Sequence, residues 1–254
     1  MKGFLAVTGL VSFLTPVPAL SQARATPPPL NVSGKWEATQ AGFYGQMRQS
    51  GSVISGRCYT GQDCVIRGAL VGDHVMITAN YGQEPGQCRR DTFIAPSTGK
   101  LSPLEGKWRG DDYNAVDGLT RKSADPGEPV TYPYADELKA CGDIVTYELA
   151  FDLNSAVLKN ADAPVLTAMG VLLKADPTMK LRVVGHTDAT GDAESNKKLS
   201  LRRAEAVKRR IVELAASDTA RVTTDGMGPD QPLEANDTPA GRALNRRVEI
   251  LVAH

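Results

Sequence analysis

Asp188 stands just beyond a short run rich in strand formers, Leu181 to Gly185, and Arg203 follows inside a stretch with helical spacing. An acid at a strand end sits where the chain leaves the sheet, so its side chain can face a ligand. A connection of this length can fold the next helix back and bring Arg203 towards Asp188. A planar guanidinium can grip a carboxylate with two parallel bonds, which lysine cannot do. Taken singly, both residues have plainer uses. Asp at a strand end often closes a turn, and Arg203 is one cation among Lys197, Lys198, Arg202, Lys208, Arg209 and Arg210. His186 reads as structural, packed under the loop that aims Asp188, rather than as a titrating group. The sequence carries no nucleophile elbow, Walker loop, HExxH or dinucleotide fingerprint, so neither an enzyme nor a cofactor is expected. Asp111 and Asp112 lie in linker-like sequence without a partner for hydrolase work.

The elements that position these residues occupy only part of the chain. Its 254 residues allow one large domain or two small ones, and its 29 basic and 29 acidic residues cancel. That balance gives no strong field for nucleic acid or an anionic membrane surface. Lys2, the apolar run Phe4 to Leu14 and the small residues Ala23 and Ala25 read as a cleavable export signal over residues 1–25. No later segment is apolar enough for a transmembrane helix. Export makes the cysteines Cys58, Cys64, Cys88 and Cys141 readable as two disulfides. Three pairings are open. Cys58 with Cys64 is favoured because the two flank a hairpin-like loop, and Cys88 with Cys141 would then tie the two halves together. The spacing lacks the CxxC pairs of a zinc site, so no metal is expected.

Residues 30–109 read as an all-β domain, a small barrel or sandwich whose nearest shape is lipocalin-like. The runs Gly51 to Gly56, Cys64 to Leu70 and His74 to Ala79 are punctuated by Gly, Asp and Asn at meander spacing. The half is too short, and its alternation too irregular, for an eight-stranded outer-membrane barrel with loops. Trp36 and Trp108 sit in echoed contexts near its two ends. Core is their default role, with a carbohydrate-stacking platform as the alternative. Residues 110–143 read as linker, with a short helical turn over Asp136 to Ala140. In residues 144–254, strand signals at Ile144 to Phe151, Leu181 to Gly185, Arg221 to Thr224 and Val248 to Val252 alternate with helices from Pro164 to about Lys174 and from about Ser195 to Ala215. The whole is α+β: the β half, then a β-α-β-α-β-β sandwich with helices on one face of a sheet.

Several ordered motifs in this second half carry a resemblance. They are Phe151 to Ser155, Gly185 to Asp188, Asn196 to Ala204, Gly226 to Gly228 and Gly241 to Glu249. The segment from about 146 to 253 resembles the OmpA C-terminal domain family, of the type shared with the MotB stator protein and the Pal lipoprotein. The resemblance implies non-catalytic binding of peptidoglycan through the diaminopimelate of the stem peptide, in a Gram-negative periplasm, at the cell wall and peripheral to the outer membrane. It assigns the ligand's ammonium to Asp188 and its carboxylate to Arg203. Asn154 and Asn196 would offer amide groups, Thr187 its backbone amide or hydroxyl, and Arg246 a second cation. The β half resembles no named family. An envelope protein or a small apolar ligand is its expected partner, with the wall domain acting as a tether.

Overall fold

A computed structural model describes residues 30–38, 42–81, 88–97, 104–110 and 114–253. The export signal expected over 1–25 and the Asp111–Asp112 pair lie outside the described residues, as does the side chain of Trp108.

Eight antiparallel strands close into a barrel in simple sequence order. They are β1 (Gly34–Ala38), β2 (Tyr44–Ser50), β3 (Val53–Tyr59), β4 (Asp63–Val71), β5 (His74–Asn80), β6 (Arg90–Pro96), β7 (Leu104–Gly110) and β8 (Asn114–Ser123). Alternate residues point inward, and Trp36, Phe43, Met47, Ile54, Ile66 and Phe93 are among those filling the interior. The Trp36 indole donates to the carbonyl of Val32 at 2.8 Å, so this tryptophan is a satisfied core residue. Outward positions on β2 and β3 include Gln46, Ser55 and Arg57. Such a face suits water, not lipid hydrocarbon.

The small-barrel reading holds, with short strands, several joined by tight hairpins such as Ser50↔Val53 and Val71↔His74. One expectation is corrected here. The last strand, β8, falls inside the stretch read as linker. Its sequence, NAVDGLTRKS, has little apolar alternation to announce it. It forms because β7 and β1 would otherwise each leave an open edge, and β8 pairs with both.

The expected linker beyond β8 is also ordered. The Arg48 guanidinium donates to the carbonyl of Gly127 at 2.7 Å, strapping the connection to the barrel wall. Helix α1 (Tyr134–Cys141) follows and ends at Gly142, whose φ of 75° is the left-handed conformation that glycine tolerates at a helix end.

The C-terminal domain comprises β9 (Asp143–Thr146), α2 (Pro164–Ala175), β10 (Lys180–His186), α3 (Ala193–Ala215), β11 (Val222–Gly228), α4 (Pro239–Asn245) and β12 (Val248–Ala253). A three-residue 3-10 turn, Thr219–Arg221, precedes β11. Sheet order is β11-β10-β12-β9, with β10 and β11 parallel and the other pairs antiparallel. The first strand is shorter than expected. After Thr146 the chain leaves the ladder, and Phe151 returns only as an isolated bridge to Leu158.

Val165, Leu166, Met169 and Leu173 from α2 meet Val207 and Ile211 from α3 over the sheet residues Ile144, Val183 and Ile250. Glycine permits the close approach of α3 to the sheet. A Cβ at Gly185 would collide with the carbonyl of Ser200, and one at Gly226 with the backbone of Leu201.

The two domains pack together. Ala69, Met76 and Ile94 on the barrel's outer face meet Tyr147, Ala243 and Leu244. Disulfides join Cys58 to Cys64 across β3 and β4, and Cys88 to Cys141 between barrel and α1. These are the favoured pairings. No helix among the described residues is long and apolar enough to cross a membrane.

Candidate functional site

The site forms where β10 ends and the chain turns into α3. Asp192 caps α3 by accepting from the amide of Ser195 at 2.8 Å. The preceding turn is held from both sides. The amide of Thr190 donates to Asp188 Oδ1 at 2.9 Å, and Asn196 Nδ2 donates to the carbonyl of Thr190 at 2.9 Å. The amide of Ala189 donates to Asn236 Oδ1 at 3.0 Å, and Asn245 Nδ2 donates to the same oxygen at 3.0 Å. Asn245 is fully buried and also binds the backbone of Leu233 and Glu234. The loop aiming Asp188 is therefore fastened to the loop before α4.

Three charges share this corner. Arg246 Nη1 donates to Asp188 Oδ2 at 2.7 Å. Arg203 is placed otherwise. Its Nε donates to the carbonyl of Ser155 at 2.9 Å, its Nη2 to that of Asp152 at 3.2 Å, and its guanidinium lies 5.0 Å from the centre of the Phe151 ring. Nη1 takes no part in these bonds. The expected convergence of Asp188 and Arg203 is thus indirect, with Arg246 paired to the acid and Arg203 stitched to the loop after β9.

The electrostatics follow from this arrangement. Burial raises the Asp188 pKa, but hydrogen bonds from Arg246 and Thr190 outweigh it and hold the carboxyl below its ordinary range. Burial, and next the neighbouring Arg246 cation, lower the Arg203 pKa. Two guanidinium groups against one carboxylate leave a local excess of positive charge. That excess favours an arriving anion, while the carboxylate remains available to a cation.

The other expected site residues separate into two kinds. Asn154 is exposed, at φ 54°, on the loop that Arg203 holds, and can face a ligand. Asn196 is half-buried and spends its amide on the turn. Thr187 is buried, and its backbone amide donates to the carbonyl of Gly228 at 2.9 Å. The amide expected to meet the ligand is therefore committed to holding β10 beside β11. The Thr187 hydroxyl is buried without a hydrogen-bond partner.

His186 is buried, with Nε2 3.5 Å from Glu249 Oε1. Burial would raise the Glu249 pKa, but His186 and Arg247 more than offset it and bring it to about 2. Arg247 pairs with Glu249 at 2.6 Å. Sequence reasoning missed Asn236, Asn245 as a loop fastener, and Glu148. Asn245 sat inside a quoted motif, whereas nothing around Glu148 marked it.

A four-stranded sheet with two helices packed on one face, and a charged cluster where β10 ends, defines a compact α/β module. Residues 150–246 match the model of the OmpA family, and the C-terminal domain belongs to that family. Among curated relatives, the chain is 40% identical over 105 residues to a probable lipoprotein, YiaD, of Escherichia coli, covering 41% of this chain and 48% of the relative. It is 37% identical over 129 residues to the peptidoglycan-binding protein ArfA of Mycobacterium tuberculosis, covering 51% of this chain and 39% of the relative. The chain thus spans less than half the length of these relatives. Among solved structures, the cell wall anchor of the T6SS from Pseudomonas aeruginosa is 30% identical, with a TM-score of 0.38, over 47% of this chain and 94% of that one.

Proposed function

We propose that residues 144–254 bind peptidoglycan through the diaminopimelate of its stem peptide, without catalysis, and anchor the barrel to the cell wall in the periplasm. The observation that carries this reading is the Asp188, Arg246 and Arg203 cluster at the mouth of an OmpA-family domain. The free end of diaminopimelate bears an ammonium and a carboxylate on one carbon. Asp188 takes the ammonium. The carboxylate lies between Arg246 and Arg203, where burial and mutual repulsion of the two cations favour an anion. A relative described as a peptidoglycan-binding protein supports the same ligand class. Each charge-assisted bond contributes about 1.5–3 kcal/mol. A few of them give modest affinity for one stem peptide, and repetition along the wall raises retention.

Asp188→Ala and Arg203→Ala are each expected to lower co-sedimentation with isolated sacculi about tenfold or more, while circular dichroism stays unchanged. Retention of both variants at the wild-type level would refute the pocket. A tether role for the wall domain, with the barrel as the working part, is compatible with this. The barrel interior is filled by side chains such as Trp36, Phe43 and Phe93, which favours a partner bound on its exterior over an apolar ligand carried inside.

A further inference from the structure

A cavity of about 270 Å³ lies between the two domains. On the barrel side it is walled by Ser52, from the turn joining β2 to β3, and by Leu70, Val71 and Gly72 of the β4–β5 hairpin. On the other side stand Glu148, Phe151, His186, Arg203 and Arg246. Two of these are deeply buried with polar atoms that lack hydrogen-bond partners. Glu148 is 1% exposed and its Oε1 is unpartnered; His186 is 2% exposed and its Nδ1 is unpartnered, while its Nε2 faces Glu249 at 3.5 Å. Orphaned polar atoms in a protein interior are costly and uncommon. Two residues bearing them on one wall, beside two guanidinium groups, make a cavity suited to a polar guest. Glu148 Oε2 already accepts from the Tyr134 hydroxyl at 2.8 Å, so the carboxyl is held in place while its other oxygen lacks a donor.

Arg203 and Arg246 belong both to this cavity and to the cluster around Asp188. A ligand gripped at that cluster has its adjoining atoms at the cavity mouth. We infer that the cavity is a subsite for the peptide segment flanking diaminopimelate, and that the barrel's β4–β5 hairpin and Ser52 form its outer wall. This rests on the peptidoglycan reading above. The barrel then acts in recognition: it limits which stem peptides can be seated, and Glu148 accepts from an N–H of the guest.

Titration calorimetry on the full chain can separate the subsite from the clamp, using free diaminopimelate and a diaminopimelate-containing tetrapeptide. Ser52→Trp fills the cavity from a turn whose backbone bond, Leu70 amide to Ser52 carbonyl, is kept. Gly72→Asn is a second variant. Its φ of 62° is one that asparagine tolerates, and a Cβ there meets nothing within 4 Å. Each variant is expected to weaken tetrapeptide binding about tenfold and to leave free diaminopimelate within about twofold. Unchanged tetrapeptide binding in both variants overturns the subsite, as does an equal loss for both ligands. If the wild-type chain binds neither ligand, the peptidoglycan reading itself fails and the subsite falls with it.

Discussion

At the scale of single residues, burial and partner choice decide what each charge can do. Arg246 holds Asp188 at 2.7 Å, so the acid is charged and oriented before any ligand arrives. Glu148 is the opposite case. Burial is the dominant cause, and it raises the carboxyl pKa from 4.5 to about 7, with Arg67 only partly opposing it. A raised acid pKa means that the folded state prefers the protonated form. Glu148 therefore costs no stability below the unfolded value near 4.5. Its cost grows as the pH rises towards 7 and is constant above that. Glu148→Gln keeps an acceptor for Tyr134 and does not titrate. It should raise the melting temperature by several degrees at pH 8, equivalent to at most about 3 kcal/mol, and leave it nearly unchanged at pH 4. Thermal denaturation at the two pH values checks this, and an equal effect at both would show that charge is not the cause.

At the scale of elements, the two disulfides close loops of very different length, with sequence separations of 6 and 53. Loop-closure entropy assigns about 2 kcal/mol to Cys58–Cys64 and about 4 kcal/mol to Cys88–Cys141. The double variant Cys88→Ser with Cys141→Ser should therefore lose more stability to urea than Cys58→Ser with Cys64→Ser. Equal losses would mean that the longer bridge adds nothing beyond the packing around it.

The two long C-terminal helices were legible because each carries its own periodic stripe. Val165, Leu166, Met169 and Leu173 mark α2 as clearly in the sequence as in the core. Strand β8 was not legible, because its existence depends on two edges elsewhere in the barrel. Helix α4 was quoted as a motif but not recognised as a helix; seven residues are too few for a periodicity to stand out. At the site, the motif order brings Asp188, Arg203 and Arg246 to one corner of the fold. It did not reveal that Arg246 reaches Asp188 from a different segment, since that contact depends on the antiparallel pairing of β10 with β12.

At the scale of the whole molecule, the barrel shares a buried ionic seam with α1 and the C-terminal domain. Arg67, on the outer face of β4, donates from Nε and Nη2 to the two carboxylate oxygens of Glu137 in α1, at 3.0 and 2.7 Å. Arg90 adds bonds to Glu137 at 3.3 Å and to Asp143 of β9 at 3.0 Å. Burial opposes charge on both members of the central pair, but their mutual attraction wins. The Arg67 pKa is raised and that of Glu137 lowered, so both stay ionised. A buried pair of this kind adds little net stability compared with apolar packing, yet removing one partner strands the other charge. Glu137→Ala should therefore cost about 3–5 kcal/mol, and the cost should fall on the junction, where Arg67 loses its fork. With the seam intact, the apolar contact of Met76 and Ile94 with Tyr147 and Leu244 couples the domains, and calorimetry should show one transition. In Glu137→Ala the transition should broaden or split, with the C-terminal domain and barrel melting separately. Replacing both charges, Arg67→Met with Glu137→Leu, should restore a single transition, since an apolar seam needs no counter-ion. A wild-type chain that already melts in two steps would show that the seam does not couple the domains. A barrel-walled peptide subsite needs that coupling, because a hairpin that drifts from Arg203 and Arg246 cannot form the outer wall of their cavity.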